Sequence, residues 1–199
     1  MHNWVLATTL GLGLLGCTTT LTATAVPEDV HTTVAVGRAV AVITGERHRI
    51  YEPAVRSFEI QNRETGERFT VEIQSDNERF MLSLPTGEYE LTRVQINEGP
   101  FLSMAQLATT FSVKNDAITY VGTWRFGVDS PKYGRMVNVS MMSDEEDRER
   151  ASEFVVQAYP LLDRGSAVSS LPQPSALQAR LYEVMPYPNV PRYFRRHWW

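Results

Sequence analysis

The 199-residue chain contains a single cysteine, Cys17, in the first tenth of its length. With no second thiol the folded body holds no internal disulfide, so its stability rests on burial. Long hydrophobic runs are missing as well. The longest, Trp4 to Leu15, spans about a dozen residues and is broken by Thr8 and Thr9, too short to cross a bilayer as a helix. There is no excess of positive charge: a net charge of −4 and a pI near 5.6 exclude the basic footprint of a nucleic-acid-binding domain. Catalytic and metal-binding signatures are also wanting. The four histidines, His2, His31, His48 and His197, form neither HExxH nor an i,i+4 pair. No GxSxG, phosphate loop or dinucleotide fingerprint occurs, so no catalytic residue, metal or cofactor is expected. What is present is ordinary globular material, 43% hydrophobic and 21% charged, enough for one domain with a real core.

The N-terminal run has the length of a signal-peptide apolar region and is followed by polar sequence. It closes on Leu14-Leu15-Gly16-Cys17, which resembles the lipobox of bacterial lipoproteins: leucine at −3 and a small residue at −1 before the cysteine. The resemblance implies cleavage between Gly16 and Cys17, with lipidation of Cys17. Two features depart from the pattern: Met1-His2-Asn3 carries no Lys or Arg, and Leu15 is bulky for position −2. Several acyl chains, at about 0.8 kcal/mol per buried CH₂, make such an anchor effectively permanent. Thr18, where an aspartate would signal inner-membrane retention, implies by the same resemblance an outer-membrane protein facing the periplasm. A flexible tether is expected over residues 17–33, which are rich in Thr and Ala and carry no hydrophobic period.

From Val34 to Met142 one grammar repeats, alternating apolar and polar residues followed by a turn signal. Phe58 and Ile60 answer Phe69, Val71 and Ile73 across Arg63-Glu64-Thr65-Gly66, a hairpin turn with glycine where positive φ is wanted. Tyr89 and Leu91 lie on odd numbers but Val94 and Ile96 on even ones, the slip that a β-bulge near Thr92-Arg93 produces. Ile118, Tyr120, Trp124 and Phe126 read as one inward row. Roughly eight short strands with no intervening helix predict a mainly β fold, an antiparallel β-sandwich, at residues 34–142.

Within this region Leu84-Pro85-Thr86-Gly87-Glu88-Tyr89-Glu90-Leu91 resembles the LPxGxYxL strand-turn-strand of carboxypeptidase-regulatory-like and transthyretin-like (prealbumin-like) sandwiches. Ile118-Thr119-Tyr120-Val121-Gly122-Thr123-Trp124 is similar to the strand that follows in bacterial lipoproteins of unassigned function. The resemblance implies a scaffold: proline ends a strand, glycine turns it, and tyrosine returns to the core. Function does not follow from a fold of this kind.

After Met142 the period changes. Ser143 and Glu146 read as a capping box opening an amphipathic helix over residues 143–159, with Ala151, Phe154, Val155 and Ala158 as its apolar stripe. The helix is expected to cover an edge or one end of the sandwich, and the acidic run at its start to be a solvated first turn. Residues 160–199 form a proline-rich tail, with a short helix expected around Ala176 to Met185. Residues 171–199 hold four arginines against one glutamate, and Arg192, Tyr193, Phe194, Arg195, Arg196, Trp198 and Trp199 interleave cation with ring. Such a cluster fits contact with an anionic membrane, a glycan or a protein groove, and fits equally well docking onto its own sandwich.

The sequence therefore predicts a lipid-anchored envelope protein whose sandwich is a non-catalytic binding or structural module. Its partners would be the membrane through the lipid and an envelope protein or glycan, with no nucleic acid. The alternative is an envelope hydrolase or glycan-processing enzyme built on scattered carboxylates, whose spacing sequence cannot reveal.

Overall fold

The computed structural model describes residues 18–22, 33–45, 51–73, 78–115, 118–129, 135–158 and 167–184. Among them twelve strands build two six-stranded sheets, and one helix follows the ninth strand. The first sheet contains β1 (Thr18–Thr22), β3 (Pro53–Asn62), β4 (Arg68–Glu72), β6 (Gly87–Glu98), β7 (Phe101–Val113) and β12 (Tyr182–Val184), in the order β1-β4-β3-β6-β7-β12. The second contains β2 (Val34–Ile43), β5 (Arg79–Ser83), β8 (Ile118–Val128), β9 (Met136–Met142) and β11 (Ala176–Arg180), in the order β11-β9-β8-β2-β5. The short β10 (Val168–Ser169) pairs with β8 off that path. The sandwich predicted from the alternation is therefore present, but both sheets are mixed rather than purely antiparallel. β1 runs parallel to β4, and β2 and β10 run parallel to β8.

The core between the sheets is aromatic. Trp124 is fully buried and meets Phe58, Phe80 and Phe111 at centroid separations of 5.0, 4.9 and 5.8 Å, all edge-on or tilted. This is the arrangement that ring quadrupoles favour. Its indole N–H donates to the Val121 carbonyl at 2.9 Å, so the burial leaves no polar atom unsatisfied. Tyr89 returns to the core as the strand-turn-strand pattern implies. Its ring stacks on Phe111 at 5.8 Å, and its hydroxyl donates to the Pro85 carbonyl at 2.7 Å, tying the strand back to its own turn.

Among the bulges of the described residues, two decide which face the longest strands present. Between Leu91 and Arg93 the register shifts against both neighbours, as the phase slip predicts, and Leu91 and Val94 both reach the core. The second bulge lies in β8. Val36 pairs with Tyr120 and Arg38 with Thr123, so one residue of β2 faces two of β8. Gly122 holds a φ of +86° at this point, a conformation that costs a side chain dearly. The single inward row expected over Ile118 to Phe126 is thereby split. Val121, Trp124 and Phe126 enter the core between the sheets, whereas Ile118 and Tyr120 point to the opposite face. Opposite the bulge, a Cβ on Gly37 would lie 2.7 Å from Phe80 Cζ and 2.8 Å from Val121 Cγ2, so glycine makes room for both.

The outward Ile118 and Tyr120 are covered by α1 (Glu145–Ala158). Ala151 and Val155 are buried on Val34, Val36, Met81, Ile118 and Tyr120, while Ala158 is exposed. The helix thus makes a third layer on the outer face of the second sheet instead of closing an edge or end. Its cap is one residue later than the capping box implies: Asp144 Oδ1 accepts from the Glu146 amide at 3.2 Å and its carbonyl from the Arg148 amide at 3.0 Å.

The tail laces the two sheets together. The Ser170 amide donates to the Tyr120 carbonyl at 2.8 Å, and Gln173 exchanges two 2.8 Å backbone bonds with Thr110. β11 then pairs with β9 of the second sheet and β12 with β7 of the first. The helix expected around Ala176 to Met185 is replaced by these strands. Ala176–Arg180 alternates exposed and half-buried residues, and Leu177 and Ala179 pack on the core, so the available sheet edge overrides local helix propensity. The tether expected at 17–33 is likewise partly structured, because Thr18–Thr22 is an edge strand with Leu21 against the core.

Candidate functional site

The helix covers only part of the outer face of the second sheet. Val34, Val36, Ile118 and Tyr120 lie beneath it, while later residues of the same strands remain open. There a groove of about 340 Å³ is lined by Arg38, Val40 and Val42 of β2, Thr123 and Arg125 of β8, Met142 of β9, Glu78, and Asp144 and Asp147 at the helix start. β-strand alternation explains the lining. Arg38, Val40 and Val42 share one parity, and the bulge at Gly122 puts Thr123 and Arg125 on the same side.

Most charges in this groove are matched. Arg38 Nη2 reaches Glu78 Oε2 at 2.5 Å, with both side chains about 40% exposed, so the pair adds little stability. Asp147 is much less exposed, and its carboxylate takes Arg79 Nη2 at 3.2 Å on one oxygen and the Thr123 hydroxyl on the other. Asp144 caps the helix. Arg125 differs: among the described residues its guanidinium has no ion-pair partner, and Nη1 reaches only the Met142 sulfur at 3.9 Å. Met142 is itself 49% exposed, so the groove combines one uncommitted cation with an accessible thioether.

Beside the groove, under the first turns of the helix, the Tyr120 ring is buried and its hydroxyl makes no hydrogen bond among the described residues. Burial pushes the phenol above its ordinary value. Asp147 and Asp144 add to the rise, while the nearby Thr123 hydroxyl and Arg79 oppose it. The Thr123 proton is spent on Asp147, so Thr123 donates nothing to the Tyr120 oxygen.

A second polar cluster lies at one end of the sandwich. Arg135, immediately before β9, forms a buried ion pair with Glu98 of β6, and its Nη1 donates to Ser103 Oγ of β7 at 3.3 Å. The Arg135 carbonyl accepts from the Leu181 amide at 2.9 Å. Both sheets and the tail are joined through this one residue, which makes it a structural clamp. On the outer face of the first sheet, the bulge lets Thr92 donate to Glu59 Oε1 at 2.8 Å while Arg93 lies 3.7 Å from Oε2.

The site residues taken from the sequence, Gly16 and Cys17 at the lipobox and Arg192, Tyr193, Phe194, Arg195, Arg196, Trp198 and Trp199 in the tail, lie outside the described residues. Among the described residues no group of His, Cys, Asp and Glu side chains could hold a metal ion, and no helix is long and apolar enough to cross a membrane. The groove was not read from the sequence, because its residues come from three strands, a loop and a helix. One signal was there to be found: Asp147 stands four residues before Ala151 and eight before Val155, on the buried stripe rather than the solvated side. In comparisons with known proteins, no family model, no curated protein and no solved structure matches the chain.

Proposed function

We propose that this protein is a lipid-anchored envelope lipoprotein, held to the membrane through Cys17 and facing the periplasm. Its β-sandwich is a non-catalytic module that engages an anionic group of an envelope glycan or protein in the groove at Arg125. The lipobox Leu14-Leu15-Gly16-Cys17 supports the anchoring, and the outer membrane is the proposed location because Thr18 replaces the retention aspartate. The observation that carries the binding reading is the charge balance of the groove. Glu78, Asp144 and Asp147 are each engaged, and Arg38 is engaged with them, while Arg125 has only a sulfur contact. An uncommitted guanidinium in a concavity is suited to a planar anion, which it grips in bidentate fashion.

Replacement of Cys17 by serine should abolish incorporation of labelled palmitate and release the protein from the membrane fraction. Cross-linking in intact cells, followed by capture, should recover a defined envelope partner whose yield falls at least tenfold in Arg125→Glu. An unchanged yield in that variant would remove the groove from the reading. A second reading, a hydrolase, draws on one specific observation: Glu78, Asp144 and Asp147 line the same groove. Turnover of cell-wall glycan fragments by the purified protein, abolished in Asp144→Asn, would replace the binding reading with this one.

A further inference from the structure

We infer that the sandwich stands directly on the lipid surface, seated by one end of its first sheet, with the Arg125 groove raised clear of the membrane. The inference rests on the proposed acylation of Cys17 and adds to it an orientation and a contact surface. β1 begins at Thr18, a single peptide link from Cys17, and consecutive Cα atoms lie about 3.8 Å apart. Thr18 to Thr22 is paired residue by residue with Arg68 to Glu72, and Leu21 packs on the core. No slack therefore separates the acylated residue from the sheet. Sixteen free residues would instead allow a wandering distance of about 20–24 Å.

The register fixes which end is lowered. Thr18 lies opposite Arg68, Gln61 opposite Arg68 on the other side, Asn62 opposite Tyr89, and Gly87 opposite Val113. The seated end therefore comprises the Arg63–Gly66 turn, the start of β6 and the end of β7. Among the described residues its exposed charged side chains are Arg63, Glu64, Glu67, Arg68, Glu88 and Lys114, three of each sign. A balanced rim suits zwitterionic headgroups and needs no anionic lipid to hold it, because the acyl chains supply the attraction. The opposite end, where β6 turns into β7 at Gly99 and Pro100, lies about 35–40 Å away along the strands. The groove residues Arg38 to Val42 follow Val34 by four to eight positions, and Val34 pairs with Ile118 at the seated end. That places the groove about 13–26 Å above the lipid.

The test uses the full-length acylated protein purified from a bacterial host and reconstituted in phosphatidylethanolamine–phosphatidylglycerol vesicles containing a spin-labelled phospholipid. A fluorophore is attached at Thr65→Cys or at Pro100→Cys, and quenching is measured on material whose intact mass shows the acyl chains. Quenching at position 65 should exceed that at 100 at least threefold, with no change between low and high salt. A Gly/Ser insertion of about twelve residues between Cys17 and Thr18 should bring the two positions to near equality. Equal quenching in the native spacing, with acylation present, would overturn the seat and leave the lipoprotein reading intact. A difference that survives the insertion would also overturn it, since the end would then bind lipid without the strand's help. A mass equal to the bare polypeptide would end the lipoprotein reading itself, and the seat with it.

Discussion

The second sheet buries its inner face along its length and part of its outer face under the helix, with different material on each side. Toward the first sheet it presents Trp124, Phe126, Val121 and Phe80, which interlock with Phe58 and Phe111, and the one indole N–H has its acceptor. Toward the helix it presents Val34, Val36, Met81, Ile118 and Tyr120 under a cover of two small side chains, Ala151 and Val155, with Phe154 only half-buried. There the Tyr120 hydroxyl finds no partner among the described residues. The same strands supply both faces, so the difference lies in what covers them. A sheet opposite a sheet interdigitates along its whole length, whereas one helix rests on a narrow stripe. The inner face is therefore the determinant of global stability, and the outer one a layer that opens at lower cost.

Trp124→Ala tests this most severely. Removing a fully buried indole from between three phenyl rings should lower unfolding free energy by about 3–5 kcal/mol, read from urea melts. Next is Gly122→Ala. A Cβ there would lie 2.5 Å from the Met142 carbonyl oxygen, on a backbone at φ +86°. The conformation alone costs on the order of 1–3 kcal/mol, and the loss should appear in the same melts with both faces disturbed at once. Val155→Ala, which removes two methyl groups under the helix, should cost only about 1–2 kcal/mol. Hydrogen exchange should find the α1 amides opening well before those of β8. A Val155→Ala loss equal to that of Trp124→Ala would erase the distinction between the two faces.

The two bulges show how much of this was legible and why. The slip at Thr92-Arg93 could be read because the outer face of the first sheet is polar there. Moving the apolar row from Tyr89 and Leu91 to Val94 and Ile96 leaves a visible break in the alternation. The bulge at Gly122 was hidden because the helix covers the outer face of β8 just before it, over Ile118 and Tyr120. Ile118, Tyr120, Trp124 and Phe126 are all apolar and all even-numbered, so a change of face leaves the pattern intact. Alternation reports burial, and where both faces are buried it cannot report side. The same reasoning applies to the tail. Ala176–Arg180 has reasonable helix formers, and only the open edge of β9, a tertiary feature, makes it a strand. The groove was the least legible part, since its one uncommitted cation, Arg125, is an ordinary residue of a strand until the neighbouring acids are seen to be engaged elsewhere.

The smallest expected effect is the most diagnostic of the thin layer. Tyr120→Phe removes a buried hydroxyl that has no partner among the described residues, without changing the ring, and should stabilise the protein by about 1 kcal/mol near neutral pH. The gain should widen in alkali. Burial holds the folded phenols of Tyr120 and Tyr89 above the ordinary tyrosine value of about 10, so the unfolded chain releases these protons first. Their contribution is therefore complete below pH 10 and is lost as the pH rises through the folded values. The loss approaches about 1.4 kcal/mol per pH unit for each group. The phenylalanine variant retains only the Tyr89 share of that slope, so urea midpoints compared at about pH 8 and pH 11 should diverge from those of the parent protein. Parallel midpoints across that range would mean that the helix leaves the Tyr120 hydroxyl in contact with water, and the outer layer would then be thinner than its packing indicates.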